Sequence, residues 1–280
     1  MTKTWLVGGA IVSMSLFAAS ACTNVQNYLD PAGPRFSGHF SRGIPENDGI
    51  FKAVSYNIEH SEDLAGAIAE LSTVVELQGT DLLMLQEMDE VGVDSIARIV
   101  GFNYVYYPAN IHSTNNRNFG NAILTPYEIV DDGKVLLPHE DIKREQRRIA
   151  VYATIDVDGT FIRAYSVHTE NLWMSPNHRF QQADSLVKSI PKGLTHVIVG
   201  GDFNTADPLT LAATGKLFSD NGFVWNTREV GSTVTIGPVG VISDFIFSRG
   251  FRQLGAGRIE EATASDHLPV WTDLEFNMER

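Results

Sequence analysis

Short apolar runs recur along the chain, and several of them end in polar side chains placed two residues apart. The run His196 to Val199 is followed by two glycines and then by Asp202-Phe203-Asn204, which predicts a buried strand that the glycines bring to an end. In extended backbone Asp202 and Asn204 point to one side, while Phe203 points into the core. Such an oxygen-rich pair suits a hard cation or a phosphate. Taken alone, the stretch could also be a plain turn.

The same reading predicts many strands and few helices. Helices are expected at Asp63 to Leu77, Asp89 to Val100, Asn177 to Ile190 and Asp207 to Gly215. Strands are expected at Phe51 to Ile58, Thr80 to Glu87, Tyr104 to Pro108, Gly120 to Thr125, Tyr127 to Leu137 (broken by the turn at 131–133), Ile149 to Val157, Phe161 to His168, Ser232 to Ile236, Val241 to Ser248, Arg252 to Glu260 and Leu268 to Phe276. This α/β pattern favours two sheets packed face to face with helices outside.

Polar residues cluster where these strands end, and one lies inside a strand. The cluster comprises Asn57, Glu59, Glu87, His168, Asp202, Asn204, Asp244, Asp266 and His267. Singly, Glu87 could be a solvated turn residue and His168 a satisfied core histidine. Asp244 lies within an apolar strand and needs a partner, which His267 would provide. The joint pattern is far less expected by chance than any one member.

The oxygen donors of this cluster predict a metal site. Glu87 would bind a divalent cation, with Asn57, Glu59 and Asp266 nearby, and an all-oxygen set favours Mg²⁺ or Mn²⁺ over zinc. The cation would polarise a phosphoryl oxygen and offset developing charge.

The remaining members predict catalytic roles. Asp244 would hold His267 in one tautomer, as a carboxylate does in a serine-protease triad. Asp202, hydrogen-bonded through Asn204, would align or deprotonate a water. His168 would donate to a non-bridging phosphate oxygen.

Seven motifs resemble those of the endonuclease/exonuclease/phosphatase superfamily, which includes pancreatic deoxyribonuclease, abasic-site endonucleases, neutral sphingomyelinases and inositol-polyphosphate 5-phosphatases. They occur in the family's order: SYNIE at 55–59, LQE at 85–87, GNAIL at 120–124, SVHTEN at 166–171, GGDFN at 200–204, SDFIF at 243–247 and SDHLPV at 265–270. The resemblance implies a four-layer α/β sandwich of two packed mixed β-sheets flanked by helices. It also implies Mg²⁺-dependent phosphoester hydrolysis without a covalent intermediate, and the site roles given above. Phe245 departs from the family, which often has Tyr or His there.

Composition narrows the range of substrates. The chain has 280 residues, 43% of them hydrophobic, which fits one large domain or two small ones. Its formal net charge is -13, from 21 basic and 34 acidic residues, so no global basic field would hold nucleic acid. This counts against long duplex substrates without excluding them, because a bound metal adds local positive charge.

The N-terminal residues 1–21 are predicted to be a signal peptide. Trp5 to Ala18 is its apolar part, and small residues precede Cys22, the only cysteine. The ending resembles a bacterial lipoprotein signal, although Ala19 stands where Leu is more frequent. We expect Cys22 to be lipidated and to anchor the chain to the membrane at the periplasmic or extracellular face of the cell envelope. Ordinary secretion, leaving a free thiol, is the alternative.

The rest of the chain is predicted to be an arm followed by one domain. Residues 22–50 carry several prolines and glycines and form a tether or N-terminal arm, which Phe36 and Phe40 would pin to the domain. Residues 51–280 form the endonuclease/exonuclease/phosphatase domain that the resemblance implies.

The favoured function is an envelope-anchored, metal-dependent hydrolase of phosphoester bonds, most simply phosphodiesters. A secreted or envelope nuclease acting on DNA or RNA is the alternative, and a non-catalytic binding lipoprotein is a weaker one. A small molecule or lipid head group is favoured over duplex DNA, and no protein partner is indicated. Candidate substrate contacts lie in two loops, with Arg117 in the first and Trp173 and Arg179 in the second.

Overall fold

The computed structural model describes residues 25–43, 45, 49–143 and 145–276. The predicted signal peptide and Cys22 lie outside the described residues. None of the described helices is long and apolar enough to cross a membrane.

The described chain forms two large sheets, a small hairpin and four α-helices. The strands are β1 (Phe36–Gly38), β2 (Ile50–Asn57), β3 (Leu82–Met88), β4 (Asn103–Ile111), β5 (Asn118–Thr125), β6 (Glu128–Glu140), β7 (Arg147–Val157), β8 (Thr160–His168), β9 (His196–Asp202), β10 (Val224–Trp225), β11 (Val234–Ile236), β12 (Val239–Val241), β13 (Asp244–Arg249), β14 (Phe251–Arg258) and β15 (Val270–Phe276). The helices are α1 (Leu64–Thr73), α2 (Glu90–Val100), α3 (Pro176–Ser189) and α4 (Pro208–Asp220), with single 3₁₀ turns at Glu59–Ser61 and Val75–Leu77.

Both sheets are mixed, and each contains one parallel pair. The first sheet has the order β1-β4-β5-β3-β2-β15-β14, in which β2 and β3 are parallel. The second has the order β10-β13-β9-β8-β7-β6, in which β8 and β9 are parallel. The carboxyl ends of parallel strands meet at one edge of a sheet, so each sheet gathers polar strand ends at one place.

Three buried clusters show four layers. The central cluster joins the inner faces of the two sheets, for example Met84 of the first with Ile198 of the second. A second cluster packs α1 and α2 on the outer face of the first sheet, through Ala67 and Ile96 among others. A third packs α3 on the outer face of the second sheet, where Leu186 is fully buried. The expected α/β sandwich of two mixed sheets flanked by helices is confirmed.

The two sheets approach closely beneath the polar strand ends. A Cβ on Gly200 would collide with the methyl group of Met84 in the facing sheet, and one on Gly201 would collide with the carbonyl oxygen of Val167. The strand β9 continues through both glycines to Asp202. The prediction that the glycines end this strand was therefore wrong, because they serve close packing within it.

Three further differences have local causes. The sequence at 131–133 does not break β6, because these residues pair with β7 across a register shift and Asp132 is held by Arg35 and Tyr107. Helix α4 runs past Gly215, which packs against the Trp225 ring. The predicted arm adds β1 to the first sheet and packs Phe36 on Tyr106, with ring centroids 5.8 Å apart.

Candidate active site

Four polar side chains meet where the two parallel strand pairs end. Asn57 closes β2 and Glu87 lies near the end of β3, while His168 closes β8 and Asp202 closes β9. The Asn57 side-chain amide donates to Asp202 Oδ2 at 3.1 Å, so this hydrogen bond joins the two sheets. The sequence prediction that these strand ends share one site agrees with their positions.

Asp202 is the most heavily hydrogen-bonded member of the site. Its Oδ1 accepts from the Ser243 hydroxyl at 2.6 Å and from the Asn204 backbone N–H at 2.8 Å. Its Oδ2 accepts from the side-chain amides of Asn57 and, at 3.0 Å, Asn204. Burial raises the pKa of Asp202 to about 6, with His267 opposing the rise and Asp244 adding to it.

Asn204 reaches Asp202 through a turn rather than through extended backbone. Its φ is 47°, in the left-handed region that Asn tolerates better than most residues. Phe203 between them is buried and stacks on Phe245 with ring centroids 5.0 Å apart. Phe245, where the family often has a polar ring, therefore belongs to the core that supports this turn.

Asp244 and His267 form a buried pair beside Asp202. His267 Nδ1 lies 2.8 Å from Asp244 Oδ2, and its Nε2 lies 3.8 Å from Asp202 Oδ2. Burial lowers the pKa of His267, but the charges of Asp244 and Asp202 outweigh it and hold that pKa well above its usual value. The ring is therefore an imidazolium at neutral pH, with Asp244 fixing its orientation.

His168 is buried on the opposite side of Asp202, at 3.4 Å from its Oδ2. The Arg148 guanidinium lies 3.2 Å from both ring nitrogens, and the Asn204 side-chain amide lies 3.2 Å from Nε2. Burial, and then the charge of Arg148, hold the pKa of His168 well below its usual value. The two histidines therefore carry different charges at neutral pH, and His168 is neutral.

Carboxylates crowd together next to Asn57. Glu59 accepts the backbone N–H of Asp266 at 3.2 Å. Burial raises the pKa of Glu59, and the charges of Asp266 and Glu87 raise it further. Since a divalent cation would offset this repulsion, the donor set fits an oxygen-ligated metal at Glu87, Glu59, Asp266 and Asn57.

A different group, Asp202, Asp244 and His267, has ligand atoms that all lie within 4.8 Å of one another, a spacing that the three carboxylates beside Asn57 do not reach. We assign this group to catalysis rather than to metal binding, because most of its ligand atoms already have hydrogen-bond partners and only Asp244 Oδ1 is buried without one. His267 Nδ1 is bonded to Asp244, and both oxygens of Asp202 accept hydrogen bonds. A metal between them would break these bonds.

The candidate substrate contacts have different surroundings. Trp173 is 86% exposed at the rim of the site. Arg117 forms an ion pair with Asp89, with 45% of its side chain exposed. Arg179 is buried and donates to the backbone carbonyls of Asn171 and Met174, so the structure assigns it to holding this loop instead of to direct substrate contact.

Sequence reasoning missed two residues of the site. Arg148 is not among the candidates that the sequence predicts, yet it is buried at the start of β7 beside His168. His60 follows Glu59 directly and lies 3.2 Å from Glu87 Oε2 through its Nε2. Both line a cavity of about 560 Å³ that also reaches Phe119 and Trp173.

Comparison with protein families gives the identity of this fold. A family model described as the endonuclease/exonuclease/phosphatase family matches residues 54–267, more than half of the chain. The chain belongs to the endonuclease/exonuclease/phosphatase family. Members of this family hydrolyse phosphoester bonds, and the matched range includes every site residue named above.

Solved structures share this fold at low sequence identity. An endonuclease/exonuclease/phosphatase from Beutenbergia cavernae is 16% identical with a TM-score of 0.66, over 81% of this chain and 72% of that one. The mannosyl-6-phosphatase of Bacteroides thetaiotaomicron is 18% identical with a TM-score of 0.63, over 81% and 100% of the two chains. D. rerio TDP2 complexed with single-strand DNA product is 16% identical with a TM-score of 0.62, over 81% and 100%. No curated protein matches the chain in sequence.

Proposed function

We propose that the protein is a divalent-metal-dependent hydrolase of phosphoester bonds that uses direct attack by an activated water. The observation that carries this proposal is the position of Asp202. This carboxylate is bonded to Asn57 on the side of the carboxylate cluster and lies between the imidazolium of His267 and the neutral ring of His168. The carboxylate that would activate water, the cationic His267 ring and the proposed metal site are thus close neighbours.

The carboxylate cluster would hold Mg²⁺ or Mn²⁺, with Glu87 as the principal ligand and Glu59, Asp266 and Asn57 beside it. When bound, the cation would polarise a phosphoryl oxygen and offset the negative charge that develops on it. The crowding around Glu59 supports this assignment: burial raises its pKa first, the charges of Asp266 and Glu87 raise it further, and a cation would relieve that repulsion.

Side chains of the protein would activate the water and bind the phosphate. Asp202, fixed by Ser243 and Asn204, would orient the attacking water and accept its proton, since a pKa of about 6 leaves it ionised at neutral pH. His267 and Arg148 would place positive charge near the phosphate. His168 would contribute a hydrogen bond from a neutral ring.

For the substrate, we infer a compact phosphoester such as a phosphodiester of a small molecule or lipid head group. The cavity of about 560 Å³ beside Glu87 is large enough for such a group, and the chain is acidic overall. A duplex would need several phosphates neutralised by Lys and Arg. A nuclease acting on single strands is the second candidate, because exposed Trp173 offers a surface on which a base could stack.

For location, we propose anchoring to the cell envelope through lipidated Cys22, which would bring the site to substrates at a membrane surface. This proposal rests on the sequence of residues 1–22 alone.

A comparison of catalytic efficiencies tests the substrate proposal. Aryl phosphodiesters, sphingomyelin, a single-stranded oligonucleotide and duplex DNA would be assayed at physiological salt with Mg²⁺ or Mn²⁺. We expect the small phosphodiesters or the lipid to be cleaved most efficiently. Far more efficient cleavage of duplex DNA would refute the inference and favour the nuclease, and no hydrolysis of any phosphoester would refute the enzyme.

A further inference from the structure

We propose that His60 is a nitrogen ligand of the cation that Glu87 holds, and that the site therefore prefers a first-row transition ion such as Mn²⁺ to Mg²⁺. This inference rests on the metal-dependent function proposed above. The inference adds one nitrogen ligand to the proposed oxygen ligands, and it predicts that Mn²⁺ is bound in preference to Mg²⁺.

The distance between the two side chains suits a shared ion. His60 Nε2 lies 3.2 Å from Glu87 Oε2, and both side chains remain partly accessible, at 26% and 16% exposure. Two ligands at adjacent corners of an octahedron, each about 2.1 Å from the ion, lie about 3 Å apart. The observed separation is therefore close to that of two ligands of one cation.

Stacking fixes the orientation of the His60 ring. Its centroid lies 4.4 Å from that of His112 and 5.2 Å from that of Phe119. Its Nδ1 is buried and has no hydrogen-bond partner among the described residues. A ligating histidine is usually oriented by a hydrogen bond from its other nitrogen. Here the stacked rings do this, and no acceptor among the described residues holds a proton on Nδ1.

The backbone that carries His60 is strained. Glu59, His60 and Ser61 have φ values of 28°, 57° and 57°, and Glu87 across the site has a φ of 58°. Non-glycine residues seldom adopt this region, and such strain concentrates at functional sites. The turn is held by the Ser61 N–H, which donates to the Ile58 carbonyl at 2.6 Å. Its consequence is that two consecutive side chains, Glu59 and His60, are both placed near Glu87.

His168 is a poorer candidate for a nitrogen ligand, although its Nε2 lies 3.8 Å from Glu87 Oε1. The Arg148 guanidinium contacts both of its ring nitrogens and would repel a cation. The His60 ring contacts the rings of His112 and Phe119 and the carboxylate of Glu87. Imidazole nitrogen strengthens binding of transition ions, whereas Mg²⁺ keeps to oxygen ligands.

Mn²⁺ bound to the purified protein tests the proposal. Electron spin-echo spectroscopy of the Mn²⁺ complex detects directly bound imidazole nitrogen, independently of activity. We would compare the wild type with His60→Asn, which keeps a residue that tolerates a left-handed backbone. The matched control is His112→Asn, which alters the same ring stack without touching Glu87. Circular dichroism and thermal melting would establish that each variant is folded.

We expect a nitrogen coupling in the wild type and in His112→Asn, and its loss in His60→Asn. His60→Asn should also weaken Mn²⁺ binding at least tenfold, since removing even a second-shell partner typically costs about 10–100-fold. Mg²⁺ affinity, measured by calorimetry, should change by less than about threefold.

Three outcomes would overturn the inference, and they differ in what else they affect. If Mn²⁺ binds and the wild type shows no nitrogen coupling, His60 is not a ligand, whatever the variants do, and the proposed hydrolase stands. If neither Mn²⁺ nor Mg²⁺ binds the folded protein at millimolar concentration, the metal-dependent function fails along with it. Equal loss of Mn²⁺ and Mg²⁺ affinity in His60→Asn would show a structural role only.

Discussion

Replacement of Asp244 by Asn removes one negative charge from the buried pair that orients His267. Asp244 has no exposed surface, and its Oδ2 lies 2.8 Å from His267 Nδ1. The variant keeps the shape of the side chain, and the Asp244 backbone N–H still donates to the Thr233 hydroxyl. The fold should therefore survive while the state of the imidazole changes.

The structure sets the size of the effect. At an effective dielectric constant of about 20, two unit charges at the observed 2.8 Å attract by about 6 kcal/mol. Desolvation of both groups offsets part of this. An Asn side chain can also donate to Nδ1 and so select the wrong tautomer, which in a serine-protease triad costs about 10⁴ in kcat. We expect kcat to fall by about 10³–10⁴, equivalent to about 4–5.5 kcal/mol.

The sign of the pKa change provides a second readout. In the wild type, Asp244 and Asp202 hold the pKa of His267 above its usual value against the effect of burial. In Asp244→Asn the effect of burial on His267 is no longer offset by the Asp244 charge. The pKa of His267 should therefore fall, and the ring should lose its charge at a lower pH. Nuclear magnetic resonance of histidine-labelled protein measures this titration directly.

A matched control is Asp132→Asn, since Asp132 is another largely buried carboxylate, paired with Arg35 far from the site. This variant should keep its kcat. If Asp244→Asn is folded and turns over within about tenfold of the wild type, or if His267 titrates unchanged, the role assigned to this pair is wrong.

Three other expectations follow from the proposals and the pKa shifts. Chelation with EDTA should abolish hydrolysis, Mg²⁺ or Mn²⁺ should restore it, and Glu87→Gln should need more metal; full activity in chelator would contradict the metal site. Burial lowers the pKa of Lys134 to about 8, so the unfolded chain binds more protons above that pH and the free energy of unfolding should rise between about pH 8 and 10. Denaturant titrations of Lys134→Met should lack this rise, and an equal rise would refute the assignment. Cys22→Ser should abolish lipidation, and mass spectrometry and phase partitioning would detect the loss. A wild-type chain that carries no lipid would refute the proposed membrane anchor.

Much of the site could be predicted because parallel strands bring their carboxyl ends together. Each apolar run of these strands ends at a polar residue: Asn57, Glu87, His168 or Asp202. The end of a strand determines, to within one residue, which side chain is placed at the edge of the sheet. Asp244 was recognisable because a buried carboxylate in an apolar run needs a partner. The prediction of one strand from Val241 to Ser248 with Asp244 inside it was wrong, because Val241 ends the hairpin strand β12 and Asp244 begins β13.

The rest depended on contacts between distant segments, which local pattern does not specify. His60 reaches Glu87 only through a left-handed turn, a conformation that its neighbours in sequence do not indicate. Arg179 lies on a helix with polar neighbours, and only the structure shows its guanidinium turned inward to the carbonyls of a loop. The residues at 131–133 continue β6 because Asp132 forms an ion pair with Arg35 and accepts a hydrogen bond from the Tyr107 hydroxyl, both from distant segments.

The hydrogen bond from Asn57 to Asp202 spans the gap between the sheets, directly above the close contact of Gly200 with Met84. The carboxylate that we propose activates the water is thus positioned partly by one sheet and partly by the other. A slide of one sheet over the other would therefore misalign it without breaking any strand pair. Heat or pressure that loosens this contact should abolish activity. Circular dichroism should still report intact secondary structure under the same conditions. The temperature at which activity is lost should therefore depend on the packing between the two sheets. Mutations meant to raise that temperature should be placed at this interface.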